Sequence, residues 1–426
     1  MKQSEAISVT VPASKSISNR LLILQKTCGI PFIINNLSTA HDTKLLNSLL
    51  NCIENNASNG AYLKKITQRT TENTQEIIEN IHCENCGTAY RFLTAYLSCL
   101  SGKWLLDGSE RMRNRPIKPL TDTLIRAGAD ISYIGKLGFP PLQINGGQLT
   151  ATYWEIDARQ SSQYVSAIAM ILPLIGRNSE LFFLTDGNSM QYIDMTIKLM
   201  QQLGRDINRT ENKITYVENN DCSFPPLLDS AEEIFVEYDW SSAAVWFAFS
   251  ALSSQKVINI QGLKKSELQA DSIISEWIKP FGVQTNYTEN GVELINTNQQ
   301  SNQEIMQFDC RNNPDLVPCI ASLCVGLRQK TVLKNVQNLA LKESNRIEAL
   351  VQELGKIARL NHENNDLIII PKQENFPTKI YFSSHTDHRM VMSLSLLSTR
   401  IQDVIIDDTA CVNKSYPEFD VFSRCC

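Results

Sequence analysis

No apolar run in the 426 residues approaches the ~18–20 needed to cross a bilayer as a helix, so no membrane association is expected. The opening MKQSEAISVT lacks the apolar core of a secretion signal, which makes a cytoplasmic location the expectation. An excess of positive charge is missing too: 40 Lys and Arg stand against 45 Asp and Glu, a formal net charge of −5. That balance excludes nucleic acid as the main partner, and any anion site must be a local concentration of cations. The twelve cysteines lack disulfide-rich spacing, and a chain of this length needs no covalent staples. Cys83 and Cys86 form a C-x-x-C, but no second pair or nearby His completes a zinc site, so reduced thiols and no metal are expected. No linker rich in Pro, Gly or Ser divides the chain, although its length calls for two or more domains.

What the sequence does contain is a repeat. Residues 121–144, 195–217, 273–295 and 347–370 each read as amphipathic helix, Gly-containing stop, strand, tight turn and strand. Their glycines are Gly128, Gly204, Gly282 and Gly355, recurring roughly every 75 residues, each expected as a left-handed helix stop. Residues 45–66 look like a degenerate copy. Glu289-Asn290-Gly291 and Asn364-Asn365-Asp366 carry hairpin-turn chemistry. The expected protein is α/β or α+β, built of about six related units.

A second recurrence is chemical. Polar turns, most of them cationic, stand before apolar helical runs along the whole chain. In Val11–Arg20 (VPASKSISNR), Pro12 disfavours helix for Val11, so strand gives way to a helix start carrying Lys15 and Arg20, with Ser14, Ser16 and Ser18 as candidate caps. Free N–H groups at such a start suit a phosphate or carboxylate. Asn85–Arg91 adds Gly87, where the backbone can approach a ligand closely, a Thr88 hydroxyl and Arg91. Glu110–Pro116 holds three arginines in five positions, ending at Arg115. Gln160–Gln163 supplies Ser161, Ser162 and an amide, while Asp239–Ala243 has capping character. Asn313-Pro314-Asp315 puts a carboxylate at a helix start, where the dipole favours its ionised form. Lys342–Arg346 packs both signs together, with Lys342 and Arg346 four apart and expected on one helix face. Thr386–Met390 and Asn413–Pro417 complete the set.

These turns, in this order, resemble the 5-enolpyruvylshikimate-3-phosphate synthases, members of the enolpyruvyl transferase family. The resemblance rests on P-x-S-K-S-x-x-N-R, N-x-G-T-A-x-R, R-M-x-x-R-P, S-S-Q, K-E-S-x-R and D-H-R-M, and it covers essentially the whole chain. It implies a two-domain inverse α/β fold, each domain made of three βαβαββ repeats, with the active site in the interdomain cleft. Residues 1–13 plus 237–426 would form the discontinuous first domain and residues 14–236 the second. It also implies transfer of the enolpyruvyl group of phosphoenolpyruvate to the 5-hydroxyl of shikimate 3-phosphate, with release of phosphate, by a cofactor-free monomer. The two substrates together carry about −5 to −6, from two phosphates and two carboxylates. The motifs offer eight cations against that charge, with Arg91 the one most expected to be structural.

Carried over by motif position, Lys15, Ser16 and Arg20 should contact shikimate 3-phosphate. Ser161, Ser162, Ser189 and Lys342 should hold its phosphate, with Gln163, Tyr192, Asp315 and Asn338 around the ring. Phosphoenolpyruvate should meet Lys15, Gly87, Arg115, Gln163, Arg346, Arg389 and Lys414. Asp315 would take the proton of the attacking hydroxyl, and Glu343 would protonate and later deprotonate the enolpyruvyl methyl group. The division of acid and base work among Asp315, Glu343 and Lys15 stays open. Cys86, Phe92, Met190-Gln191, Ala340 and Asn345 depart from the usual family residues without removing an expected catalytic group. The relative acting on UDP-N-acetylglucosamine typically needs a reactive Cys in a mobile loop, and Arg111–Arg115 contains none. A catalytically silent binding relative would be favoured by loss of Lys15, Asp315 or Glu343, and all three are present.

Overall fold

The computed structural model describes residues 6–29, 31–59, 66–67, 77–218, 232–253 and 255–420. The chain divides into two compact units. The first comprises Met1–Lys15, Ser38–His41 and Val236–Cys426, and the second Ser16–Leu37 and Asp42–Phe235. The short return Ser38–His41 to the first unit was not part of the sequence expectation. Among the described residues no helix is long and apolar enough to cross a membrane.

Four sheets share one topology: a parallel pair extended by an antiparallel hairpin. In the first unit, Ile7–Thr10 runs parallel to Val257–Gln261, which continues into the hairpin Val283–Thr288 and Gly291–Asn296. Met306–Asp309 and Thr331–Lys334 pair with Ala358–Glu363 and Asp366–Pro371 in the same way. In the second unit the sets are Ile77–His82, Gly102–Asp107, Asp130–Tyr133 and Leu142–Gly146, then Tyr153–Asp157, Ser179–Leu184, Asp206–Thr210 and Lys213–Val217. The third sheet of each unit is, among the described residues, a parallel pair: Lys379–Phe382 with Asp403–Ile406, and Phe32–Asn35 with Glu232–Phe235.

Burial alternates along strands such as Val257–Gln261 and Lys213–Val217, the period expected when one face meets helices. Trp240–Leu252 and Gln163–Ile175 are apolar almost all round and sit in the cores, one in each unit. The four sequence repeats are the four helix–hairpin segments of the complete sheets. Gly128, Gly204 and Gly282 have φ of 102°, 70° and 83°, and the N–H of the residue after Gly128 and after Gly204 reaches back five residues, closing each helix in a Schellman turn. Asn364 and Asn365, with φ of 50° and 70°, make the two-residue turn between the last hairpin strands.

Gly355 departs from the expectation. Its φ is −59°, so it stays right-handed, and the chain leaves the helix through short-range bonds from Lys356 and Ile357. The buried Glu353 explains the difference, because it fixes this end by accepting from Lys356 Nζ, Ser383 N and His385 Nε2. Gly60, the stop of the degenerate copy, lies outside the described residues, although its helix His41–Asn59 is present.

Candidate active site

The first unit assembles a buried cluster of carboxylates and cations from five separated stretches. Arg346 opens the helix Arg346–Leu354, behind the Asn345 cap. Its Nε and Nη2 donate to the two oxygens of Asp387 at 2.8 and 3.2 Å, its Nη1 to Asp315 at 2.8 Å and its Nη2 to Glu343 at 3.0 Å. Arg389 donates from Nη2 to Asp315 at 3.2 Å and from Nη1 to the Ser241 carbonyl at 3.0 Å, while Lys342 Nζ stands 4.0 Å from Asp315. Burial alone would push Asp315 up, but Arg389, Lys342 and Arg346 outweigh it and hold Asp315 well below the usual carboxylate range. Arg346 is shifted the other way: burial opposes its charge, and Asp387, Glu343 and Asp315 more than restore it. Lys15, the first residue of the helix Lys15–Thr27, contributes its charge to the same region, acting on Asp239 and His388. Asn338 lies in the short helix Gln337–Leu341 just before Lys342, and Lys414 closes Ala410–Lys414; both are partly buried.

One expectation needs correction here. Lys342 has extended backbone and precedes the helix, so its meeting with Arg346 at Asp315 comes from the turn and not from a shared helical face. Asp315 sits in the turn Pro314–Leu316, which runs straight into the helix Val317–Gly326, so it stands at a helix start as expected, and Arg389, Lys342 and Arg346 hold it ionised.

The second unit holds the remaining residues. Arg20 is buried and donates to Thr196 Oγ1, the Ser16 carbonyl and the Tyr192 carbonyl at 2.7, 2.9 and 3.1 Å, and lies 5.6–5.7 Å from the ring centres of Phe92 and Tyr192. Its guanidinium thus ties the Lys15–Thr27 helix to Gln191–Gln202. Arg91 fixes Gln163 through a 2.6 Å bond, and the Gln163 amide in turn donates to Thr88. Arg91, expected to be structural, thus acts on the Gln163 amide. Arg115 is buried, whereas Arg111 and Arg113 of the same turn face solvent and Arg113 pairs with Asp107. A Cβ on Gly87 would fall 2.6–2.7 Å from three guanidinium atoms of Arg115, so only glycine leaves room for that side chain against the start of the helix Gly87–Ser98. Among the described residues Arg115 Nε and Nη1 are shielded from solvent without a hydrogen-bond partner, as suits a cation reserved for an anion. Ser162 and Ser189 are buried, Ser189 in a left-handed conformation with φ of 56°, and Ser161 Oγ accepts from Gln163 N. The capping roles differ from those expected: Cys86 Sγ, not Thr88, caps Gly87–Ser98, and Ser14 Oγ is buried without a partner.

Sequence reasoning missed Asp387, His388, Ser241, Asn313 and Asp271 as members of the first cluster. Asp387 stands inside the quoted D-H-R-M and caps its helix, a signal that was available. Asp271 follows Lys264 and Lys265 in a stretch that none of the quoted motifs includes, and only the fold delivers it.

A family model described as EPSP synthase (3-phosphoshikimate 1-carboxyvinyltransferase) matches residues 3–421. A protein named 3-phosphoshikimate 1-carboxyvinyltransferase from Bacteroides fragilis (strain YCH46) is 33% identical over 414 residues, 97% of this chain and 93% of its own. One of the same name from Idiomarina loihiensis is 32% identical over 424 residues, 98% of this chain and 96% of its own. Among solved structures, an EPSP synthase from Acinetobacter baumannii superposes with a TM-score of 0.70 at 20% identity, covering 98% of this chain and 95% of that one. That likeness establishes the two-domain inverse α/β fold. The similarity runs through nearly the full length of the chain, with the motif residues gathered in two buried clusters, and the protein belongs to the EPSP synthase family.

Proposed function

We infer that the protein transfers the enolpyruvyl group of phosphoenolpyruvate to the 5-hydroxyl of shikimate 3-phosphate and releases phosphate. The observation that carries this reading is Arg346, buried and bonded to Asp315, Glu343 and Asp387, with Arg389 and Lys342 also on Asp315. Such a cluster holds two acid–base groups and three cations in fixed geometry before any ligand arrives, which is what charge stabilisation without reorganisation requires.

Phosphoenolpyruvate is held by Lys15, Gly87, Arg115, Gln163, Arg346, Arg389 and Lys414. Shikimate 3-phosphate is held through its phosphate by Ser161, Ser162, Ser189 and Lys342, and around its ring by Lys15, Ser16, Arg20, Gln163, Tyr192, Asp315 and Asn338. The two units are the enzyme's domains, and the enzyme works as a monomer in the cytoplasm, as the family resemblance implies.

Asp315 clamped by three cations is a poor base. When the substrate carboxylate takes over donors from Arg346 and Arg389, Asp315 is released to accept the proton of the 5-hydroxyl. The hydroxyl oxygen bonds to C2 of phosphoenolpyruvate while its C3 methylene gains a proton from Glu343. The resulting tetrahedral adduct expels phosphate, and Glu343 takes a methyl proton back, regenerating the double bond. Lys15 shares the charge of the two acids.

The test is phosphate release from purified protein given both substrates, with each omitted in turn. Release that requires both, and is lost in Glu343→Ala and Lys15→Ala, is the expected result. Tight calorimetric binding of shikimate 3-phosphate without release would overturn the catalytic reading.

A further inference from the structure

A second buried carboxylate lies behind the proposed base, and nothing in the reaction just described uses it. Asp271 is the second residue of the short turn Ala270–Ile273 and is 5% exposed. It accepts from Ser241 Oγ at 2.5 Å and from Asn313 Nδ2 at 3.1 Å, one donor on each oxygen. The Ser241 carbonyl accepts from Arg389 Nη1 at 3.0 Å, and Arg389 Nη2 donates to Asp315 at 3.2 Å. Asp315 follows Asn313 by two residues, so the contacts close a ring: Asp271, Ser241, Arg389, Asp315, Asn313 and back to Asp271. All five residues belong to the first unit.

The neighbouring contacts keep the ring from drifting. Gln269 accepts from Trp240 N and donates to the Tyr238 carbonyl and to Glu237, which pins the turn bearing Asp271 to the helix start bearing Ser241. Asn313 is itself buried, and its backbone N–H and carbonyl both bond within its own turn.

We propose that Asp271 is a positioning residue for enolpyruvyl transfer, aiming the Asp315 carboxylate and the Arg389 guanidinium at the reacting centre through Asn313 and Ser241. A carboxylate suits the role. Ser241 and Asn313 present two donors, and a carboxylate meets both with one oxygen each. The location is costly: burial, and next the Asp315 charge, push Asp271 up to about 6, with Ser241, Arg389 and Asn313 opposing. A hydrophobic side chain would avoid that cost but would leave two buried donors unpaired and the ring open.

The inference rests on the proposed roles of Asp315 and Arg389, and the experiment separates the two readings. Phosphate release by the unsubstituted enzyme with both substrates comes first; its absence would defeat the functional reading and with it the roles that Asp271 serves. Given an active enzyme, Asp271→Ala removes both acceptor oxygens and opens the ring at Asn313 and at Ser241. The expected result is a folded variant whose kcat falls on the order of tenfold to 100-fold, since misaligned groups lose rate steeply. Its KM for phosphoenolpyruvate rises, through Arg389, while its affinity for shikimate 3-phosphate by calorimetry stays within about twofold, a split that a general loss of packing would not produce.

The double variant Asp271→Asn with Asn313→Asp exchanges donor and acceptor across the same bond and leaves an oxygen for Ser241. It should recover most of the lost kcat. Normal kinetics in a folded Asp271→Ala, or no recovery in the exchanged pair, would overturn the proposal. Should Asp271→Ala fail to fold, Ser241→Ala opens the ring on that side alone. A raised KM for phosphoenolpyruvate there supports the role, and unchanged constants refute it.

Discussion

Gly87 and Arg115 show how one atom decides what a turn can hold. A methyl at Gly87 would overlap the Arg115 guanidinium, which is the movable end of a long side chain and would swing away. Gly87→Ala should therefore leave the melting temperature nearly unchanged but raise the KM for phosphoenolpyruvate several-fold, with little effect on shikimate 3-phosphate. Steady-state kinetics with each substrate varied checks this, and an unchanged phosphoenolpyruvate KM would separate Arg115 from that anion. The sequence placed Arg115 in the site by its motif, but not by its environment: Arg111, Arg113 and Arg115 look alike until the turn folds and sends the first two to solvent. The same limit hid Asp271. Residues on cationic turns announce themselves by composition, whereas a buried carboxylate that acts through Ser241 and Asn313 is recognisable only once strands far apart in sequence are paired.

Among elements, helix starts carry most of the chemistry, and their caps were only partly readable. Asp239 accepts from both the N–H and the hydroxyl of Ser242, capping the apolar helix Trp240–Leu252 as its side-chain type suggested. Asn offers the same acceptor, so Asp239→Asn should be nearly neutral, while Asp239→Ala should cost about 1 kcal/mol of stability. Urea unfolding of the two variants decides it; equal losses would mean that the charge and not the cap matters. The repeated helix–Gly–hairpin segments were legible because Gly128, Gly204 and Gly282 answer a local need for positive φ. Gly355 was misjudged because a tertiary contact, Glu353 with Lys356, Ser383 and His385, ends that helix in place of a left-handed residue. The parallel partner of each hairpin was beyond the sequence as well. Ile7–Thr10 and Val257–Gln261 are almost 250 residues apart, and no local signal reports their register.

For the whole molecule, the buried clusters set opposing responses to acid. His388 is 1% exposed, and burial, then the Lys15 charge, push it down to about 3 although Asp387 favours its charged form. Between its unfolded value near 6.5 and about 3, the unfolded chain binds a proton at His388 that the folded protein refuses, so stability is lost as pH falls through that window. Asp271 works in the opposite sense. Pushed up to about 6, it is protonated in the folded protein at pH values where the unfolded group is ionised, so between about 6 and 4 acidification restores stability. Each contributes at most about 1.4 kcal/mol per pH unit, and between pH 6 and 4 they largely cancel. Below about pH 4 the cancellation ends, because Asp315 and Asp387, both held below their ordinary range by partners that include Arg346, stay ionised in the folded protein while the unfolded chain takes up protons there, so stability falls further. Removing one of the pair exposes the other. His388→Asn should become more stable on going from pH 7 to pH 5, and Asp271→Asn less stable, while the unsubstituted protein changes little. Urea unfolding of the three proteins at the two pH values measures the differences, in which every other titrating group cancels. A His388→Asn variant with the pH dependence of the unsubstituted protein would show that His388 is not held neutral, and that Lys15 and the buried surroundings do not act on it as the structure indicates.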